Sequence, residues 1–147
     1  MLEDTTILMA EDDEGHTGLI KRNLRRAGIN NKIQHFADGQ KLMDFLFDAD
    51  GELKIPKEKT YLLLLDIRMP VMDGIEALKK IKGCPQLKSM PIFMFTTAEN
   101  PGEVNICHDL GCSGYITKPV AYDEFTETCE KLASFLKVLK VPELAEA

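Results

Sequence analysis

The sequence predicts an α/β protein built on a parallel sheet, and three observations carry that expectation. The run Tyr61-Leu62-Leu63-Leu64-Leu65 has four consecutive leucines and no polar alternation, which suits a short strand buried on both faces. Comparable apolar runs recur at Thr6-Ile7-Leu8-Met9-Ala10 and Pro91-Ile92-Phe93-Met94-Phe95. Segments with helical spacing separate these runs, and strands alternating with helices imply a parallel sheet covered on both sides.

In chain order, a first strand over 6–11 precedes a helix over 14–27, where Ile20, Leu24 and Ala27 recur at helical spacing and Gly28 is a natural stop. A short strand over 32–37 follows. Asp38-Gly39 then opens a second helix with Leu42, Phe45 and Leu46 on one stripe. The polar stretch 48–59 reads as a loop of unusual length for a compact domain, either functional or a simple insertion. The leucine strand comes next. Pro70 and Asp73-Gly74 mark a loop, and a third helix over 74–82 turns Ile75, Leu78 and Ile81 inward before Gly83 and Pro85 end it. A strand over 91–96, a helix over 102–110 ended by Gly111, and a strand over 114–117 follow. The last helix, over 123–139, carries Phe125, Cys129, Leu132 and Leu136 on one face and stops before Pro142. Five strands and five helices with right-handed crossovers favour a doubly wound, flavodoxin-like sheet of order 2-1-3-4-5. The 147 residues make one domain, with a core of about 5–140 and a tail, 141–147, too short for an output domain.

Composition excludes several function classes. Hydrophobic residues are 44% and charged residues 29%, as in an ordinary globular chain, and no apolar run approaches the ~20 residues of a membrane span. The acidic start, Met1-Leu2-Glu3-Asp4, does not resemble a signal peptide, so a cytoplasmic protein is expected. A net charge of −6 argues against nucleic-acid binding and against an anionic membrane surface. The one dense basic group, Lys21, Arg22, Arg25 and Arg26, reads as a solvated helix face. Cys84, Cys107, Cys112 and Cys129 form no C-x-x-C pair, and Cys107, His108 and Cys112 lack zinc spacing, so reduced thiols on helices are expected. No G-x-G-x-x-G or Walker pattern supports a nucleotide site.

The chemistry lies at the strand ends. The first strand finishes on Glu11, Asp12 and Asp13, the leucine strand on Asp66, the fourth on Thr96 and Thr97, and the fifth on Lys118-Pro119. Taken alone, an Asp at a strand end is more often a cap or turn residue, a Thr there a β-former, and a Lys a surface charge. Ligands in open parallel sheets bind at the carboxyl edge, however, and the predicted order sets the first and third strands side by side. Glu11, Asp12 and Asp66 would then crowd together. Crowded carboxylates resist full ionisation, and an oxygen-only set invites Mg²⁺ or Mn²⁺ rather than zinc.

The combination Glu11-Asp12, Asp66 with Met69-Pro70 and Asp73-Gly74, Thr96, and Tyr115 with Lys118-Pro119 resembles the receiver domain of two-component response regulators over about 5–140. The resemblance implies Asp66 as phosphoacceptor, with Asp12, Asp66 and the Arg68 backbone carbonyl as metal ligands and Glu11 acting through water. It implies Lys118 as the cation on a phosphate oxygen, a cis Lys118-Pro119 bond, and a switch in which Thr96 and the aromatic Tyr115 move together. The residue types leave Thr96 and Thr97 both open, and spacing from Lys118 in the family pattern selects Thr96. Departures fall at Arg68, two positions after Asp66, at the bulky Thr97, and at Ala98, which has no group to orient a water.

The expected role is a stand-alone signalling protein rather than an enzyme. Its implied partners are a sensor histidine kinase, a downstream protein and a second copy of the chain. Asp38-Gly39, Asp44-Phe45-Leu46, the long loop and Pro91-Ile92 are similar to the small regulators serving phytochrome kinases. Exposure of Phe135, Val138, Leu139 and Val141 near the end of the last helix points to a symmetric dimer through the face formed by the fourth helix, fifth strand and fifth helix. A metal-dependent phosphatase with an Asp nucleophile is the rival. It ordinarily needs an acid two residues after the nucleophile, where this chain has Arg68. An unphosphorylated scaffold would have no use for the intact acidic and basic set.

Overall fold

The computed structural model describes residue 1 and residues 3–146. Five strands, β1 (Thr6–Ala10), β2 (Ile33–Phe36), β3 (Tyr61–Leu65), β4 (Ile92–Thr96) and β5 (Gly114–Thr117), alternate with α1 (Glu14–Arg26), α2 (Gly39–Leu46), α3 (Gly74–Lys82), α4 (Pro101–Leu110) and α5 (Tyr122–Val138). The five strands pair in parallel in the order β2-β1-β3-β4-β5, as expected.

The leucine run lacks alternation because the sheet has two cores. Leu62 and Leu64 join Ile7, Met9, Phe93 and Phe95 beneath α1 and α5. Tyr61, Leu63 and Leu65 join Leu8, Ala10, Ile92 and Met94 beneath α2, α3 and α4. Residues pointing either way are buried, so each must be apolar. A fully buried Leu contributes about 1.5–3 kcal/mol, and this central strand anchors both layers.

Four helices begin on a side chain that accepts a backbone N–H: Asp13 from His16 at 3.1 Å, Asp38 from Lys41 at 2.8 Å, Asp73 from Glu76 at 2.9 Å and Asn100 from Gly102 at 2.7 Å. The Asn100 cap starts α4 one residue earlier than the periodicity suggests, because Pro101 fits a first helical position where its missing N–H costs nothing. Gly111 ends α4 at φ 103°, a left-handed conformation that side chains disfavour.

Segments expected to be irregular are better ordered than their composition suggests. Within 48–59, the Asp48 carboxylate accepts the N–H groups of Asp50 and Glu52, Phe47 and Leu53 form an antiparallel bridge, and Ile55 is buried. After α3, Pro85–Leu87 forms a 3₁₀ turn with Leu87 buried. The tail folds back beside the start of β3: Glu143 bridges Thr60, Ala145 N–H donates to the Gln86 carbonyl at 3.0 Å, and Leu144 enters the core. Ala147, the last residue of the expected tail, lies outside the described residues.

One expectation needs correction. Phe135 and Val138 are exposed, but Leu139 and Val141 pack against the α1–α5 core. The chain leaves helical geometry at Leu139 and turns back toward the domain, so helical spacing no longer predicts which way these side chains point. The four cysteines are free thiols, with Cys107, Cys112 and Cys129 buried and Cys84 half-buried.

Candidate phosphoacceptor and metal site

Strand register assembles the site. Ala10 pairs with Leu65, so the next residues, Glu11 and Asp66, leave neighbouring strands side by side. The Asp66 N–H donates to the Ala10 carbonyl at 3.0 Å, and the Glu11 N–H to the Phe36 carbonyl at 3.0 Å. On the other flank, the Lys118 N–H donates to the Thr96 carbonyl at 2.7 Å, tying the β5 exit to the end of β4. Four separate strand ends therefore converge at one edge.

Glu11 and Asp66 are buried, Asp12 is exposed, and one carboxylate oxygen from each lies within 4.8 Å of the others. Lys118 is buried against them, donating to Asp66 Oδ2 at 3.2 Å and to Glu11 Oε1. Its third contact is His16 Nδ1, at 3.3 Å. When ionised, three carboxylates face one ammonium, a surplus of two negative charges. That surplus and the oxygen-only donor set fit a hard divalent cation. Burial pushes the Glu11 carboxyl up to about 7, despite the opposing pull of Lys118. The second Asp66 oxygen accepts the Ile67 N–H at 2.8 Å, which fixes the carboxylate plane.

The α3 start presses directly on this site. A Cβ on Gly74 would fall 2.0 Å from the Asp66 carbonyl oxygen, and the Gly74 N–H donates to the Ile67 carbonyl at 2.8 Å. Only glycine admits so close an approach. In the intervening loop, Val71 holds φ 67° and is 80% exposed, an unusual conformation for a β-branched residue.

Burial separates the two threonines. Thr96 is fully buried and its Oγ1 accepts the Ala98 N–H at 3.2 Å, whereas Thr97 is exposed. The Tyr115 hydroxyl donates to the carbonyl of that same Ala98 at 2.5 Å. Burial pushes the Tyr115 phenol up to about 12, so it stays a donor at any ordinary pH. Ala98 thus carries no useful side chain, yet its peptide groups link both residues of the expected switch. The Arg68 guanidinium pairs with Glu103 on α4 at 2.5 Å, and that contact raises its already high pKa.

The expected cis bond at Lys118-Pro119 is not found, since no described peptide bond is cis. Trans is the lower form of an X–Pro bond by about 0.5–1 kcal/mol. Here Pro119 is half-buried and Val120 fully exposed, so little packing opposes that preference. Sequence reasoning also missed His16, Phe95 and Phe125 around Lys118 and Glu103 beside Arg68. An Asp13 cap followed by a half-polar first turn was the sole local signal for His16.

The family model described as response regulator receiver domain matches residues 7–130. The chain belongs to that family. A response regulator receiver domain from Rhodospirillum rubrum has a TM-score of 0.91 and 42% identity, covering 96% of this chain and 99% of that one. The response regulator Rcp1 of Synechocystis sp. is 30% identical over 137 residues, 92% of each chain. Its Mn(2+)-bound structure has a TM-score of 0.82 at 28% identity over 93% of this chain and 98% of that one. The phosphorylated cyanobacterial phytochrome response regulator RcpA has a TM-score of 0.82 and 26% identity over 95% and 99% of the two chains. No helix among the described residues is long and apolar enough to cross a membrane.

Proposed function

We propose that this receiver accepts a phosphoryl group on Asp66 from the phosphohistidine of a sensor kinase and signals through its α4–β5–α5 surface. The observation that carries the reading is the buried Asp66 carboxylate held between Lys118 and the other two acids at the sheet edge. An Asp66 oxygen attacks phosphorus, the P–N bond breaks, and the leaving imidazole takes up a proton. Such transfers depend chiefly on alignment and charge neutralisation. Lys118 supplies a compact cation within reach of a phosphate oxygen. Glu11, Asp12, Asp66 and the Arg68 carbonyl would hold Mg²⁺ or Mn²⁺, with Glu11 acting through water, and the bound ion would neutralise charge on the transferred group.

The Ala98 peptide supplies the coupling to the surface. If Thr96 turns its hydroxyl to a phosphoryl oxygen, the Ala98 N–H loses its acceptor, and the carbonyl that holds Tyr115 is disturbed with it. This is a two-state element with a nameable contact on each side. Val71 and Val120, on loops at the Asp66 edge, and the half-exposed Tyr122, at the start of α5, offer apolar surface suited to a docking protein donor. The likeness to the phytochrome response regulator RcpA supports a kinase of the phytochrome type as the donor. The phosphatase alternative finds no support, because Arg68 stands where its acid would be and is engaged by Glu103.

Acetyl phosphate with Mg²⁺ should place one acid-labile phosphate on the wild type and none on Asp66→Asn, with labelling stopped by EDTA. Undiminished labelling of the Asn variant would move the acceptor elsewhere.

A further inference from the structure

We propose that His16 is a positioning residue for Lys118: its neutral imidazole accepts one ammonium N–H through Nδ1 and keeps that cation beside Asp66. The inference rests on Asp66 being the phosphoacceptor and names a residue outside the family pattern that serves the same site.

An ammonium has three donors, and Lys118 meets three acceptors: Glu11 Oε1, Asp66 Oδ2 at 3.2 Å and His16 Nδ1 at 3.3 Å. Lys118 is buried, so a lost acceptor is not simply replaced by water. The other groups facing Nδ1, Glu11 Oε2 at 4.0 Å and Asp13 Oδ2 at 3.9 Å, lie beyond hydrogen-bond distance. An Nδ1–H would set a donor against a donor, so this contact selects the tautomer with its proton on Nε2.

The ring is held for the task. It stacks on Phe125 at 5.5 Å and 26°, Phe125 packs on Phe95 at 5.9 Å, and the Phe95 ring lies 5.8 Å from the ammonium. Aromatic surface from β4 and α5 therefore bounds the cation on one side and carboxylates bound it on the other. The Asp13 cap fixes the His16 backbone N–H at 3.1 Å. Glu11 and Asp66 are the acceptors whose charge the reaction and the metal alter. His16 is the acceptor that neither consumes, so it keeps Lys118 aimed while the other two change.

Two variants separate the hydrogen bond from the stack. His16→Phe keeps an aromatic ring on Phe125 and removes the acceptor; His16→Asn places an amide oxygen near the Nδ1 position. With acetyl phosphate and Mg²⁺, His16→Phe should load Asp66 roughly tenfold more slowly at saturation with an unchanged half-saturating concentration, as expected for one charge-assisted hydrogen bond. His16→Asn should recover most of the rate. Long-range ¹H–¹⁵N spectra of the unphosphorylated wild type should show Nε2–H and an unprotonated Nδ1, with a protected Lys118 ammonium signal that disappears in His16→Phe. An Nδ1–H tautomer, a His16→Phe variant loading at the wild-type rate, or a folded His16→Asn no faster than His16→Phe would each overturn the proposal. If the wild type takes no phosphate, the Asp66 reading fails by itself, and the spectra still decide the His16 contact.

Discussion

Burial acts against ionised Glu11 and Lys118 acts for it; burial prevails, and the carboxyl sits at about 7 instead of the ordinary 4.5. The folded, metal-free protein therefore holds this proton more tightly than the unfolded chain does. Its contribution to stability is fully present below about pH 4.5 and is lost as pH rises through about 7. Thermal melts in EDTA from pH 5 to 8 should show that decline, and Glu11→Gln should flatten it. A cation competes with the same proton, so Mg²⁺ affinity should rise over this window and level off above it. Titrations giving the same Mg²⁺ affinity at pH 6 and pH 8 would remove Glu11 from the site.

Among the elements, α3 and α1 respond oppositely to the same change. Gly74 opens α3 against the Asp66 carbonyl, and a methyl there meets backbone oxygen at 2.0 Å. Gly74→Ala should cost about 2 kcal/mol or more, since neither backbone segment can yield without moving Asp66. Gly18 is exposed inside α1, with nothing within 4 Å of an added Cβ. Gly18→Ala should stabilise by about 1 kcal/mol through helix propensity alone. Urea unfolding of the two variants checks the pair, and midpoints shifting in the same direction would contradict this account of α3. The Gly74 variant should also load phosphate more slowly, because α3 and the acceptor share one backbone contact.

For the molecule as a whole, the β5–α5 side carries exposed apolar surface. Phe135 is 46% exposed and Val138 75%, and a groove lined by Phe93, Tyr115, Ile116, Leu132 and Phe135 runs beside them. We expect a symmetric dimer here, since two-fold closure is the commonest outcome of self-association. Leu139 is unsuitable as a probe because it packs on the core, so Phe135→Glu with Val138→Glu is the informative double variant. Sedimentation at high concentration should show a dimer for the wild type and a monomer for the double variant. A wild type that stays monomeric with and without acetyl phosphate and Mg²⁺ would rule the dimer out.

The strand order, the five helices and the convergence of Glu11, Asp66, Thr96 and Lys118 at one edge were legible in the sequence. Burial on two faces leaves apolar runs without alternation, and capping residues mark helix starts; both signals are local. The strand-end residues needed only the topology to meet. Tertiary structure alone decided the contacts between distant side chains. Lys118 and Glu11 are 107 positions apart, and the ammonium also meets His16, whose ring stacks on Phe125 because α1 and α5 pack on the same face. Likewise, periodicity treats adjacent Thr96 and Thr97 as equivalent strand-end hydroxyls, while the fold buries one and exposes the other. The course of Leu139 and Val141 depended on where α5 stopped. Periodicity encodes which side of an element is buried; the partner met there depends on register and on how neighbouring helices pack, and those are settled only when the whole chain has folded.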